Sequence, residues 1–231
     1  MIDFYFWPTP NTFKVAIFLE ESELDYTFQI VDLRQQAQFG SQFLKISPNN
    51  KIPAIVDHAP EDQGLPLKLF ESAAILEYLA DKTGRFTATT ARQKAEIRQW
   101  LHWQMSGIGA AGGRLYQLSS QTNREQMMPA IEVLIEELTR LYRVIDKRLA
   151  DRPYVAGEDY TIADIALYPW IKCHEHLQQE LEDYPHLKRW FGTLSARPAI
   201  RRTYAQAHQL TQLATKKTGS IPVTTKKVKN H

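Results

Sequence analysis

The chain has 231 residues, 43% of them apolar and 23% charged, with a formal net charge of +2. That apolar content excludes wholesale disorder, and the length lies above that of one ordinary core, so two modest domains are expected. So small a charge gives no basis for nucleic-acid binding, because Lys216, Lys217, Lys226, Lys227 and Lys229 all lie in the last sixteen residues and the body without them is slightly acidic.

The first expected element is a short aromatic strand over Ile2–Trp7, ended by Pro8-Thr9-Pro10. A helix follows over Thr12–Ser22, with Val15, Phe18 and Leu19 on its inner stripe, Glu20, Glu21 and Glu23 towards solvent, and Asn11 as its cap. Next come a strand over Tyr26–Val31, a polar loop with a short helix around Phe39–Ile46, and the turn-rich Ser47–Pro53 leading to an apolar strand over Ala54–Val56. A strand over Leu67–Phe70 runs into a helix over Glu71–Thr83, with Ala74, Ile75, Tyr78 and Leu79 inward and Gly84 as its stop. This βαβ then ββα order, with a proline just before the third strand, predicts an α/β thioredoxin-like domain over residues 1–84.

From Ala91 onward the pattern is helical throughout, over Ala91–Leu118, Arg124–Ala150, Thr161–Leu177, Tyr184–Ala196 and Pro198–Gln212. It predicts an all-α helical-bundle domain over residues 91–213, reached through a linker at Gly84–Thr90. The Lys/Thr-rich residues 214–231 lack periodicity and are expected to form a flexible basic tail, dispensable for the fold.

Cys173 is the single cysteine, so no intrachain disulfide, C-x-x-C redox pair or cysteine zinc cluster is possible. A reducing compartment fits. The opening Met1–Trp7 holds Asp3 and no basic segment followed by a long apolar one, and no apolar stretch reaches membrane-spanning length, so a cytoplasmic protein without membrane contact is expected. His174-Glu175-His176 lacks the helical spacing of a zinc site, and no metal is expected. Trp100 and Trp103 mark a packing face, and Cys173 reads as a core residue. Thr161 and Asp164 stand as cap and third helical residue of a capping box, with Tyr160 and Ile165 as its staple, a device for folding rather than catalysis.

Three stretches carry a family likeness: Thr9-Pro-Asn-Thr-Phe-Lys14, Asn49-Asn-Lys-Ile-Pro-Ala-Ile-Val-Asp57 and Leu69-Phe-Glu-Ser-Ala-Ala-Ile-Leu76. Together they resemble the glutathione S-transferase superfamily, over nearly the whole chain from Ile2 to about Ala207. Thr-Pro-Asn at the first helix is similar to the bacterial nu class and to the related yeast nitrogen-regulator type. The resemblance implies a glutathione-dependent disulfide-bond oxidoreductase with glutathione as cosubstrate, a small disulfide or an electrophile as the other substrate, and a C2 homodimer. A conjugating transferase is the alternative enzyme, and a low-turnover glutathione-binding regulatory protein the alternative outside enzymes.

Residue by residue, the likeness implies the following site, with a plainer alternative for each part. A cis bond at Ile52-Pro53 presents the Ile52 backbone to the extended cysteinyl unit of glutathione, where a trans turn proline would not. Glu71 and Ser72 take the γ-glutamyl end, Glu71 facing its ammonium and Ser72 its carboxylate at a helix N-terminus; on local sequence alone they are a helix cap. Lys51 and Gln38 are candidates for the glycyl carboxylate, as cation and amide donor, against ordinary solvated surface residues.

A thiol near its free pKa of about 8.5 is mostly protonated at neutral pH, so donors must surround the sulfur. Asn11 is the leading thiol-contacting residue and Thr9 the second, both catalytic by this likeness, while local sequence makes them cap and turn. Tyr5, mid-strand, more often faces a core or sheet surface. Two departures stand out. Gly107-Ile-Gly-Ala-Ala111 replaces a Gly-Leu-Gly-Pro-Met pattern and implies a wider acceptor pocket, and Val133 stands where some relatives have a glutathione-contacting arginine.

Overall fold

The computed structural model describes residues 1–216 and, as a strand, residues 224–226. The chain divides into two compact units, one of residues Met1–Arg85 with the chain from Arg197 onward, the other of Phe86–Ala196.

In the first unit, β1 (Ile2–Phe6), α1 (Pro10–Ser22) and β2 (Tyr26–Ile30) form a parallel βαβ unit. After two single-turn helices and the short α2 (Ser41–Leu44) come β3 (Ala54–Asp57), β4 (Leu67–Phe70) and α3 (Ser72–Thr83), with β3 antiparallel to both β1 and β4. The four strands lie in the order β4-β3-β1-β2, and with α1, α2 and α3 they make the expected thioredoxin-like arrangement. Strand β1 is central, so Phe4 and Phe6 are fully enclosed on one face, where they meet Phe28 edge-on or tilted at ring centroids 5.7 and 5.2 Å apart. On the other face Tyr5 packs against Phe43 of α2.

The second unit is helical. α4 (Ala91–Gln104) passes through a π-helical stretch, Met105–Gly109, into α5 (Ala110–Ser119), where the sequence predicts one unbroken helix. α6 (Met128–Arg148), α7 (Ile162–Ile171) and α8 (Pro185–Ser195) complete it. α7 is buried along its whole length and ends at Ile171, short of the expected Leu177, which lies in a separate 3-10 turn. Small residues here serve close packing: a Cβ on Gly112 of α5 would lie 2.6 Å from the Trp170 ring, and one on Gly107 of the π-helical stretch 3.2 Å from Leu141. The Gly107–Ala111 departure thus turns its first glycine towards the bundle core.

The chain then returns to the first unit. α9 (Pro198–Lys216) packs along α1, and β5 (Thr224–Lys226) pairs antiparallel with β2. The expected flexible tail therefore includes the last residues of α9 and a strand, because the free edge of β2 offers unpaired backbone groups to any nearby segment. The remainder of that tail, 217–223 and 227–231, lies outside the described residues.

Three local expectations are corrected. Asn11 does not cap α1: Thr9 does, its Oγ1 accepting from the Thr12 N–H while the Thr12 Oγ1 accepts from the Thr9 N–H at 3.0 Å. Glu20 does not face solvent but is 1% exposed, accepting from the Tyr26 hydroxyl at 2.8 Å and from Arg202 at 3.2 Å. In α3 the exposed alanine is Ala74, while Ala73 and Leu76 are buried. Among the described residues no helix is long and apolar enough to cross a membrane.

The capping box of α7 forms as expected. Fully buried Asp164 accepts from the Thr161 N–H, the Thr161 hydroxyl, the Val155 N–H and the Trp190 indole N–H. Burial pushes its carboxyl up to about 6 despite these donors. Asp164→Ala leaves several buried donors without acceptors and is expected to destabilise the protein by at least about 3 kcal/mol, read as a lower urea midpoint at unchanged m. A loss below about 1 kcal/mol would show that the network contributes little.

Candidate functional site

Strand register collects the predicted site residues at one end of the sheet. β1 runs towards this end and leaves it through Trp7 and Pro8 into the N-terminus of α1, so Thr9 and Asn11 stand there. Antiparallel pairing of Tyr5 with Ala54 sets Ile52-Pro53 beside the end of β1, and pairing of Ala54 with Phe70 sets Glu71 and Ser72 beside Pro53. β2, parallel to β1, reaches the same end before the turn that carries Gln38.

The Ile52-Pro53 bond is cis. Its loop is held by the Ser47 hydroxyl, which donates to the Lys51 carbonyl at 2.7 Å, and by Asn50, which takes a left-handed conformation at φ 49°. Half-buried Ile52 packs on the cluster of Val31, Phe43 and Ala54. Lys51 projects into solvent.

Glu71 precedes α3 at φ 71° and ψ 116°, a conformation that strains a non-glycine residue. It is exposed, whereas Ser72 at the first helical position is 2% exposed. The α3 N-terminus therefore offers a hydroxyl and helix amides next to a carboxylate, a combination suited to an amino acid's carboxylate and ammonium together.

At α1, Thr9 is committed as cap. Asn11 occupies the second helical position with a half-buried side chain, at the positive end of the helix. Among the described residues, the enclosed Oε1 of Gln38, an acceptor, has no hydrogen-bond partner from the chain. Tyr5 lies on the sheet face covered by Phe43, and burial and Asp3 raise its phenol above the ordinary range. No group of side chains suited to hold a metal ion occurs among the described residues.

The sequence reading gave Lys14 no role at this site. It is fully buried on α1, with its ammonium 3.5 Å from the Ser72 hydroxyl. Burial lowers it from 10.5 to about 7, against the pull of the Glu71 carboxylate. The signal was present in the helical period: Lys14 stands one turn before Phe18, on the same apolar stripe.

Comparison with known proteins agrees with this geometry. Residues 1–81 match the glutathione S-transferase N-terminal domain model and residues 113–198 the glutathione S-transferase C-terminal domain model. The chain belongs to the glutathione S-transferase family. Within it, the chain is 48% identical over 208 residues to the disulfide-bond oxidoreductase YfcG of Escherichia coli K12, covering 90% of this chain and 96% of that one. It also matches a glutathione transferase family member from Pseudomonas fluorescens Pf-5, solved with two glutathiones bound, at 42% identity and a TM-score of 0.81, covering 87% of this chain and 91% of that one. A glutathione transferase from Burkholderia graminis, solved with two glutathione molecules per subunit, matches at 38% identity and a TM-score of 0.82, covering 87% and 86%.

Two measurements test these assignments without ligand. Thr9→Ala should lower stability by about 1 kcal/mol as a lost cap, whereas Asn11→Ala should not; equal losses would return the cap to Asn11. Lys14 binds a proton in the unfolded chain that the native chain releases between about 7 and 10.5, so its contribution to stability is complete above that window and lost as pH falls through about 7. Urea unfolding should therefore show stability rising from pH 7 to 9 more steeply in the parent than in Lys14→Met. Equal slopes would contradict the burial of a titrating Lys14.

Proposed function

We propose that this protein is a glutathione-dependent disulfide-bond oxidoreductase in which bound glutathione supplies the reacting sulfur. The observation that carries the reading is the meeting, at one sheet end, of a cis-proline loop, the α3 N-terminus with Glu71 and Ser72, and the α1 N-terminus with Asn11. The cysteinyl unit would pair with the Ile52 backbone, and the γ-glutamyl carboxylate and ammonium would meet Ser72 and Glu71. Gln38, through its amide N–H groups, and the solvent-exposed cation Lys51 would take the glycyl carboxylate.

Asn11 would then donate to the sulfur, assisted by the positive end of α1, with Thr9 holding that helix end in place. Favouring the thiolate by two pKa units takes roughly 2.7 kcal/mol, within the range of charge-assisted bonds. The thiolate attacks one sulfur of a substrate disulfide, the S–S bond breaks, and the departing thiolate takes up a proton. A second glutathione thiolate attacks the glutathionyl sulfur of the mixed disulfide, which yields glutathione disulfide and the second substrate thiol. Two glutathiones are oxidised and one disulfide reduced.

This reading needs no protein thiol. The single cysteine, Cys173, lies in the helical unit, and burial raises its thiol away from the reactive range. A cytoplasmic C2 homodimer fits the family and the reducing chemistry. Sedimentation is expected to give a dimer, and a stable monomer at micromolar concentration would overturn that part.

The enzyme should consume a small disulfide such as hydroxyethyl disulfide in the presence of glutathione; no turnover would overturn the reading. Asn11→Ala should lower turnover roughly tenfold to 150-fold, from the loss of about 1.5–3 kcal/mol of thiolate stabilisation, while glutathione affinity changes little. Parent-like turnover in that variant would remove Asn11 from the sulfur.

A further inference from the structure

We infer that Lys14 is a positioning residue of the glutathione site, whose interior ammonium aims the Ser72 hydroxyl, a group that receives the γ-glutamyl end. The inference rests on the assignment of Glu71 and Ser72 to that end of the tripeptide.

Geometry carries it. Lys14 and Ser72 are 58 residues apart in the chain, both are buried, and Lys14 Nζ donates to Ser72 Oγ at 3.5 Å. While it carries its proton Lys14 has donors only, so the Ser72 oxygen accepts from it and the hydroxyl's own hydrogen must point elsewhere. The ligand's carboxylate is an acceptor, and a hydroxyl committed as donor suits it. An apolar side chain at position 14 would remove that donor from the Ser72 oxygen.

Glu71 is the chain neighbour of Ser72. Its carboxylate attracts the ammonium of Lys14 while its backbone is held at φ 71°. Turned towards the opening of the site, it would meet the ligand's own ammonium. Lys14 thus stands behind Ser72, at the amino-acid end of the site and not among the groups assigned to the sulfur.

Packing alone does not account for a lysine here. The stripe that Lys14 shares with Val15, Phe18 and Leu19 is apolar and fully enclosed, and burial of an ammonium there is unfavourable. Methionine would fill the same volume without a charge. What methionine lacks is the fixed donor to Ser72.

The consequence is a split between binding and turnover opposite to that of Asn11. Lys14→Met is expected to weaken glutathione binding about tenfold or more by calorimetry and to raise KM for glutathione in parallel. Turnover at saturating glutathione should stay within about twofold of the parent, because the groups at the sulfur are untouched. Combining Lys14→Met with Ser72→Ala should weaken binding no more than about twofold beyond the weaker single variant, since Lys14 acts through Ser72.

Lys14→Gln, which keeps a donor without the charge, provides the same readouts should Lys14→Met not yield a folded chain, and it is expected to bind glutathione more weakly than the parent. Unchanged glutathione affinity in a folded Lys14 variant, or additive losses with Ser72→Ala, would overturn the inference. Failure of the parent itself to bind glutathione would instead overturn the assignment of the site, and the inference with it.

Discussion

Everything at the candidate site depends on the pairing of β1 with β2 on one side and β3 on the other. β1 is the only strand that reaches the sheet end and continues directly into α1, so its register sets where Thr9, Asn11 and Lys14 stand. β3, bound antiparallel to it through Tyr5 and Ala54, places the cis peptide alongside, and β4, bound to β3 through Phe70, places the α3 N-terminus next. Slipping either pair by one residue would turn every side chain to the other face and separate the three segments. The enclosed aromatic face of Phe4, Phe6 and Phe28 opposes such a slip, because a slip would carry these rings out of the core.

α1 ties the sheet to the returning end of the chain. Its last turns hold Glu20 and Glu21; Arg197, the residue before α9, forms a two-bond fork to Glu21 at 2.6 and 2.9 Å, and Arg202 of α9 reaches Glu20. Phe13 stacks on Tyr204 of the same helix, with ring centroids 4.2 Å apart. The helix whose N-terminus faces the candidate site is thereby clamped along its length, as the role proposed for Asn11 requires. The glutamates that look like solvent-facing charges in one dimension are the anchor points of this clamp.

The chemical logic follows from the absence of a cysteine in the sheet unit. A thioredoxin-like sheet with two vicinal thiols exchanges disulfides with its own sulfur; here the corresponding end of the sheet presents helix N-termini, an asparagine and a threonine. Such groups stabilise a thiolate brought by another molecule and do not become oxidised themselves. At the neighbouring α3 N-terminus the interior ammonium of Lys14 stands behind Ser72.

Local sequence determined much of this protein. A short aromatic run ended by Pro8 marks β1, Gly84 marks the end of α3, and Thr161 with Asp164 marks the start of α7, since aromatic runs, helix stops and capping boxes involve residues within a few positions of one another. The three family-like stretches likewise pointed to a glutathione site before any contact was known. Only the tertiary structure decided which charges are buried and what they meet. Glu20 finds Arg202 across 182 residues and Lys14 finds Ser72 across 58, and such partners leave no mark in local periodicity. It also decided that Thr9 rather than Asn11 caps α1, because two neighbouring residues able to cap are separated only by the backbone angles that the end of β1 imposes.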